Sequence, residues 1–249
     1  MRRFAILTRM FGLMNLRDRE ALFWYFVFPI GLLLVLGAAN LGSGAAPGVV
    51  AAWLMAGVLV MNIMTAGLAG DATWLATMRD RGVLPRLRAA PLPVTDLVAA
   101  YTVVRLGLVM LQSALIVTVA MVVFGVRPGW DTLIPAMLVT LVGGVVFLLL
   151  GQALAAASPT ASAANVLSNM IYFPLLFLSN LVIGIAAFPD WLERIAQWSP
   201  AALLVDLLRP ILTSDQALHA VWINLAGLLG YGVLALLVVA RWFRWESRV

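Results

Sequence analysis

Long runs of apolar residues recur along this chain, and they restrict its fold more than any other feature. A helix needs roughly 20 apolar residues to cross about 30 Å of hydrocarbon. Inside a bilayer only helices and closed barrels satisfy every backbone donor and acceptor. Barrel strands alternate apolar and polar side chains, and these runs do not. With 63% of its 249 residues hydrophobic, 11% charged and a mean hydropathy of +1.03, the chain lacks the polar surface to coat a soluble globule. The expected fold class is an all-α membrane protein in a single domain over 1–249. Six transmembrane helices are expected, at about Ala21–Ala39, Val49–Ala69, Leu97–Phe124, Leu133–Ala157, Ala164–Gly184 and Leu218–Ala240.

Ahead of the first run, Phe4, Leu7, Phe11 and Met14 recur at helical spacing, with Arg2, Arg3, Arg9 and Arg17 elsewhere around the wheel. This pattern predicts an amphipathic helix over 1–19 lying on the membrane surface. Gly37, Ala38 and Ala39 after the first run resemble a leader cleavage site, but the long preceding stretch with Asp18 and Glu20 argues against cleavage.

Arginine supplies all sixteen basic residues. Without a lysine, no phosphate-binding loop ending in Gly-Lys-Ser/Thr can exist, so the chain carries no nucleotide site of that kind. The absence of cysteine and the solitary His219 leave no thiolate or clustered imidazole for a metal or haem, and no cofactor is expected in the chain itself. The net charge of +5 would suggest nucleic acid in a soluble protein; here the placement of the arginines explains it, and no nucleic-acid partner is expected. Arg2, Arg3, Arg9, Arg17 and Arg19 precede the first run, Arg79, Arg81, Arg86 and Arg88 lie between the second and third, and Arg241, Arg244 and Arg248 follow the last. Alternate connections hold only Arg127, Arg194 and Arg209. The positive-inside rule then places both termini in the cytoplasm, a parity that six spans satisfy.

Two connections are long. The cytoplasmic one, 70–96, is charged and carries Pro85, Pro91 and Pro93; the outer one, 185–217, contains tryptophans. In the latter, Pro189-Asp190 precedes Trp191, Leu192, Ile195 and Trp198, which predicts a short interfacial helix, and a second is expected over Pro200–Leu212.

Catalytic signatures such as His-Glu-x-x-His and Gly-x-Ser-x-Gly are absent, so the chain is not expected to be an enzyme. A proton- or sodium-driven carrier would bury acids at mid-membrane. The acids here fall in connections or at span ends, Asp71 and Asp96 nearest the hydrocarbon. Arg105, inside the third span, is expected to snorkel to the cytoplasmic interface, with a substrate contact as the alternative reading. A mild polar stripe remains: Asn165, Ser168, Asn169 and Tyr172 share one face of the fifth span, and Asn62 and Thr65 neighbour each other on the second, near Met55. Such faces suit a weakly polar path for an amphipathic solute, and equally a helix–helix hydrogen-bonding surface.

The stretch Met78-Arg79-Asp80-Arg81-Gly82-Val83-Leu84-Pro85-Arg86-Leu87-Arg88-Ala89-Ala90-Pro91-Leu92 resembles the ABC-2 type permease family, whose pattern there runs E-R-E-x-G-T-L-E-x-L-x-x-x-P-L. Val83 and Pro85 depart from its threonine and glutamate. Phe173-Pro174-Leu175-Leu176-Phe177-Leu178-Ser179-Asn180, then Pro189-Asp190-Trp191-Leu192, Ser199-Pro200 and Asp206-Leu207-Leu208-Arg209, are similar to the family's P-x-x-F-L-S-G, P-x-W-L, N-P and D-x-x-R. Asn180 replaces its glycine and Ser199 its asparagine. The resemblance implies a bacterial inner-membrane exporter of amphipathic or hydrophobic compounds such as drugs, antibiotics or lipids. Two permease subunits, identical or related, would each rest on a cytoplasmic ATP-binding subunit that holds ATP and magnesium. It implies coupling to that subunit through Arg79, Asp80, Arg81, Gly82, Leu84, Arg86, Leu87 and Arg88. It also implies short re-entrant helices closing an outer gate at Ser179, Asn180 and Trp191. Export of a polysaccharide or glycolipid, or a non-transporting scaffold, are the alternative expectations.

Overall fold

The computed structural model describes residues 2–39, 47–83, 94–179, 188–213 and 216–242, and the regular elements among them are all helical. They are α1 (Arg2–Arg17), α2 (Arg19–Ala39), α3 (Pro47–Met64), α4 (Ala72–Asp80), α5 (Val94–Phe124), α6 (Trp130–Ala157), α7 (Ala161–Leu178), α8 (Asp190–Ala196), α9 (Pro200–Leu212) and α10 (Val221–Trp242). A π-helical segment, Thr65–Asp71, joins α3 to α4 without interrupting the rod. Five helical runs are long and apolar enough to cross a membrane: Gly48–Asp80, Asp96–Phe124, Trp130–Ala157, Ala161–Leu178 and Val221–Trp242. The 21-residue α2, where a further span is expected, is not among these five.

The largest departure from expectation concerns the second span. Instead of giving way to a loop at Gly70, the helix runs on for 33 residues to Asp80. Ala72, Leu75, Ala76 and Met78 are buried, and this apolar face at helical spacing is what keeps the chain helical. The helix stops at Gly82, whose φ of +71° suits a residue without Cβ; the Gly82 amide donates to the Arg79 carbonyl at 3.0 Å.

Helix α6 is the axis of the bundle, packed by α3 and the π segment, α5, α9 and α10. Small residues permit this closeness. A Cβ on Gly67 would lie 2.2 Å from the Phe147 carbonyl oxygen, and one on Gly151 would lie 2.0 Å from that of Gly67, so two backbones touch where the π segment crosses α6.

The face of α1 that bears Leu7 and Phe11 meets protein rather than lipid. Both side chains are buried in a cluster with Leu75, Met78, Leu97 and Tyr101. Phe11 sets its ring edge against Tyr101 at 5.5 Å, and Trp74 stacks on Tyr101 at 4.5 Å. The opposite face leaves Ile6, Leu13 and Leu16 exposed.

Both expected short helices are present at the other end of the bundle. In α8, Trp191 and Ile195 are exposed. In α9, Ser199 caps the start by accepting from the Ala202 amide at 3.1 Å, and every residue from Pro200 to Arg209 is buried among α3, α6 and α10. Asp206 ties α9 to the approach of α10, accepting from the amides of Leu218 (2.6 Å) and His219 (2.9 Å) and from Asn224 Nδ2 (2.7 Å).

Candidate coupling and transport site

The π-helical segment admits an extra residue per turn, which loosens the i→i+4 ladder and frees backbone carbonyls for other donors. The Ala66 carbonyl accepts from Arg105 Nη2 of α5 at 3.3 Å. Asp71, at the end of the segment, accepts from Arg105 Nε at 2.5 Å and from the Tyr101 hydroxyl at 2.9 Å, both on Oδ1. Arg105 Nη1 reaches Asn15 of α1 at 3.3 Å, and its guanidinium lies 5.6 Å from the Tyr25 ring of α2. Gly70 leaves the room: a Cβ there would stand 2.8 Å from Arg105 Nη2. Arg105 therefore does not snorkel; its side chain turns inward to a fully buried carboxylate, because an unpaired buried charge of either sign costs several kcal/mol, at least about 3, that the pair avoids. Asp71, expected near an interface, is likewise enclosed within the helical rod.

Two turns further on, Arg79 and Asp80 hold the turn between α6 and α7. Arg79 is buried and donates from Nη1 to the Ala155 carbonyl at 3.1 Å and from Nη2 to the Ser158 carbonyl at 2.7 Å, capping the end of α6. Asp80 Oδ2 accepts from the Ala161 amide at 2.7 Å, at the start of α7. Cation at a helix C-terminus and anion at an N-terminus each oppose the local dipole. Arg81 is exposed and Gly82 half-buried beside it. Leu84, Arg86, Leu87 and Arg88 lie outside the described residues.

The expected path residues divide between different neighbours. Met55 is fully buried in the core. Asn62 Nδ2 donates to Ser113 Oγ of α5 at 3.2 Å, while the Thr65 hydroxyl meets that of Tyr172 on α7 at 3.0 Å. Ser168 is buried; Asn169 Nδ2 donates to Asn165 Oδ1 at 2.9 Å, one turn away along α7 on its exposed side. At the far end of α7, Ser179 turns back on the Leu176 carbonyl at 2.9 Å. Trp191 stands exposed on α8. Asn180 lies outside the described residues.

The pairing of Asp71 with Arg105, with Tyr101 and Asn15 as supports, is the part that residue patterns did not reveal. A signal existed: an arginine inside a span calls for a carboxylate of comparable depth, and Asp71 is the candidate nearest the hydrocarbon. Gln112 belongs to the same end of the bundle, donating to the Tyr25 carbonyl and so joining α5 to α2.

Long apolar helices whose buried charges are spent on joining one helix to another define a multi-pass membrane protein. The chain belongs to the ABC-2 type transporter family, whose profile matches residues 2–213. That domain is a membrane transport component, and membership implies an ATP-binding subunit as partner. Among curated proteins the chain is similar to Nodulation protein J of Rhizobium leguminosarum bv. viciae, 29% identical over 109 residues covering 44% of this chain and 42% of that one. It is also similar to Nodulation protein J of Neorhizobium galegae, 27% identical over 190 residues covering 74% and 69%.

Proposed function

We propose that the protein is the permease half of an ATP-driven exporter of amphipathic or hydrophobic compounds, with six spans counting α2, both termini in the cytoplasm of a bacterial inner membrane, and its energy drawn from a separate ATP-binding subunit. One observation carries this reading. The rod α3–π segment–α4 is clamped at its tip to the α6–α7 turn by Arg79 and Asp80, and it continues directly into the arginine-bearing stretch that begins at Arg81. A push on that stretch is carried by α4 to the ends of α6 and α7 through these same contacts. Arg81, Arg86 and Arg88 receive the push and Arg79 passes it inward. The second permease subunit covers α7, the span least enclosed by its own fold, where Val166, Met170, Phe173 and Phe177 are exposed. The solute path then runs along that seam past Asn165 and Asn169. The apolar surroundings of these few amides favour an amphiphile over a polysaccharide.

The test is reconstitution with the ATP-binding protein that co-purifies with the chain. Proteoliposomes should move a fluorescent amphiphile only with hydrolysable ATP and magnesium. Movement driven by an ion gradient without nucleotide would overturn the reading.

A further inference from the structure

Two cavities meet at Trp53, near the end of the bundle away from α1. The larger, about 600 Å³, lies between the start of α3, the Gly125–Gly129 turn and the end of α9, and is lined by Arg127, Thr132 and Thr213 among others. The smaller, about 70 Å³, is an apolar slot between α2, α3 and α7, lined by Leu32, Leu36, Met61 and Leu176. Trp53 borders both. Its indole lies against the buried guanidinium of Arg209, 4.5 Å from the ring, at the boundary between polar and apolar space. Trp53 and Met61 stand eight residues apart on α3, so the slot runs roughly 12 Å along the helix, at about 1.5 Å per residue.

We infer that the two cavities form one site for an exported anionic amphiphile, its head group on Arg127 and its alkyl chain behind Trp53 along Leu32, Leu36 and Met61. Charge chooses the head group. Arg127 is exposed, lines the polar chamber and has no ion pair among the described residues. Asp131, the acid nearest in the chain, folds back over Gly129 in the first turn of α6, where the helix dipole favours it. The Thr132 hydroxyl adds a hydrogen-bond donor for phosphate, sulfate or carboxylate oxygens. Chemistry chooses the tail, since the slot offers only apolar side chains to whatever passes Trp53. The site rests on the export reading only in taking its occupant from the transported compounds and not from the bilayer.

The experiment uses the full chain in phosphatidylcholine nanodiscs, without any ATP-binding subunit. Two photo-reactive probes carry a diazirine at the end of a dodecyl chain, one with a phosphate head and one with a maltoside head. Labelling by the phosphate probe should fall on peptides containing Leu36 and Met61, and Arg127→Gln should lower it about tenfold, the loss of one charge-assisted contact, while changing maltoside labelling less than twofold. Equal effects on both probes would overturn the site, as would labelling scattered over the lipid-facing side of α10. Complete competition by phosphatidylglycerol would assign the site to resident lipid and overturn the export occupant. Because no motor is present, these outcomes leave nucleotide-driven transport to its own test.

Discussion

The carboxylate of Asp71 and the guanidinium of Arg105 meet at 2.5 Å, although 34 positions separate them in the chain. The contact fastens the π segment to α5, and through Asn15 it reaches the N-terminal helix. Asp71 is wholly buried and Arg105 nearly so, its side chain bordering a cavity of about 360 Å³ beside Asn15 and Thr65. Removing one charge therefore strands the other.

Asp71→Ala or Arg105→Ala should each destabilise the fold by about 3–5 kcal/mol, whereas Asp71→Leu combined with Arg105→Met should cost much less than the two single losses together. Thermal unfolding of purified protein, analysed as a double-mutant cycle, measures this. Additive losses would mean that the pair does not act as a unit.

Close backbone contact makes two glycines irreplaceable and leaves a third indifferent. Gly67→Ala and Gly151→Ala each force a methyl into a carbonyl oxygen and should destabilise by about 1–3 kcal/mol or more. Gly230, in α10, has nothing within 4 Å of a built Cβ, so Gly230→Ala should be neutral or stabilise slightly, by up to about 1 kcal/mol. Midpoints of detergent-solubilised protein should separate the three variants in that order.

Hydrogen exchange offers a direct view of the α6–α7 turn. Asp80→Ala should raise exchange at the Ala161 amide, which loses its acceptor, at a cost of about 0.5–2 kcal/mol. Arg79→Ala should disturb the turn more, because two buried carbonyls, those of Ala155 and Ser158, lose charged donors. In the reconstituted complex, Arg79→Ala should lower transport per ATP hydrolysed, while Gly230→Ala, remote from that turn and with open space around it, should leave the ratio unchanged. An unchanged ratio for Arg79→Ala would separate the clamp from coupling.

Periodicity served well wherever one face of a helix decided its structure. The ends of α5 and α6 fall within three residues of those expected, and Pro200–Leu212 coincides with α9 because Ser199-Pro200 is a strong local start signal. It served poorly between Gly70 and Asp80. Charge and glycine there suggest a loop, yet Ala72, Leu75, Ala76 and Met78 find a protein surface to cover and remain helical. The polar stripe of α7 was visible as a stripe. Which of its members bond to another helix, as Tyr172 does to Thr65, and which stay on the exposed face, as Asn165 does, depends on where α7 packs.

What the amino-acid order determined alone is the solvent and the chemistry: an apolar, lysine-free, cysteine-free chain must be helical in lipid and cannot bind ATP through a lysine-bearing phosphate loop. Only the tertiary structure decided which charges neutralise each other, which glycines carry a backbone crossing and which arginine caps a helix. These contacts join residues far apart in sequence. Hydrophobic period reports which face is covered, and the covering partner is selected by the packing of whole helices.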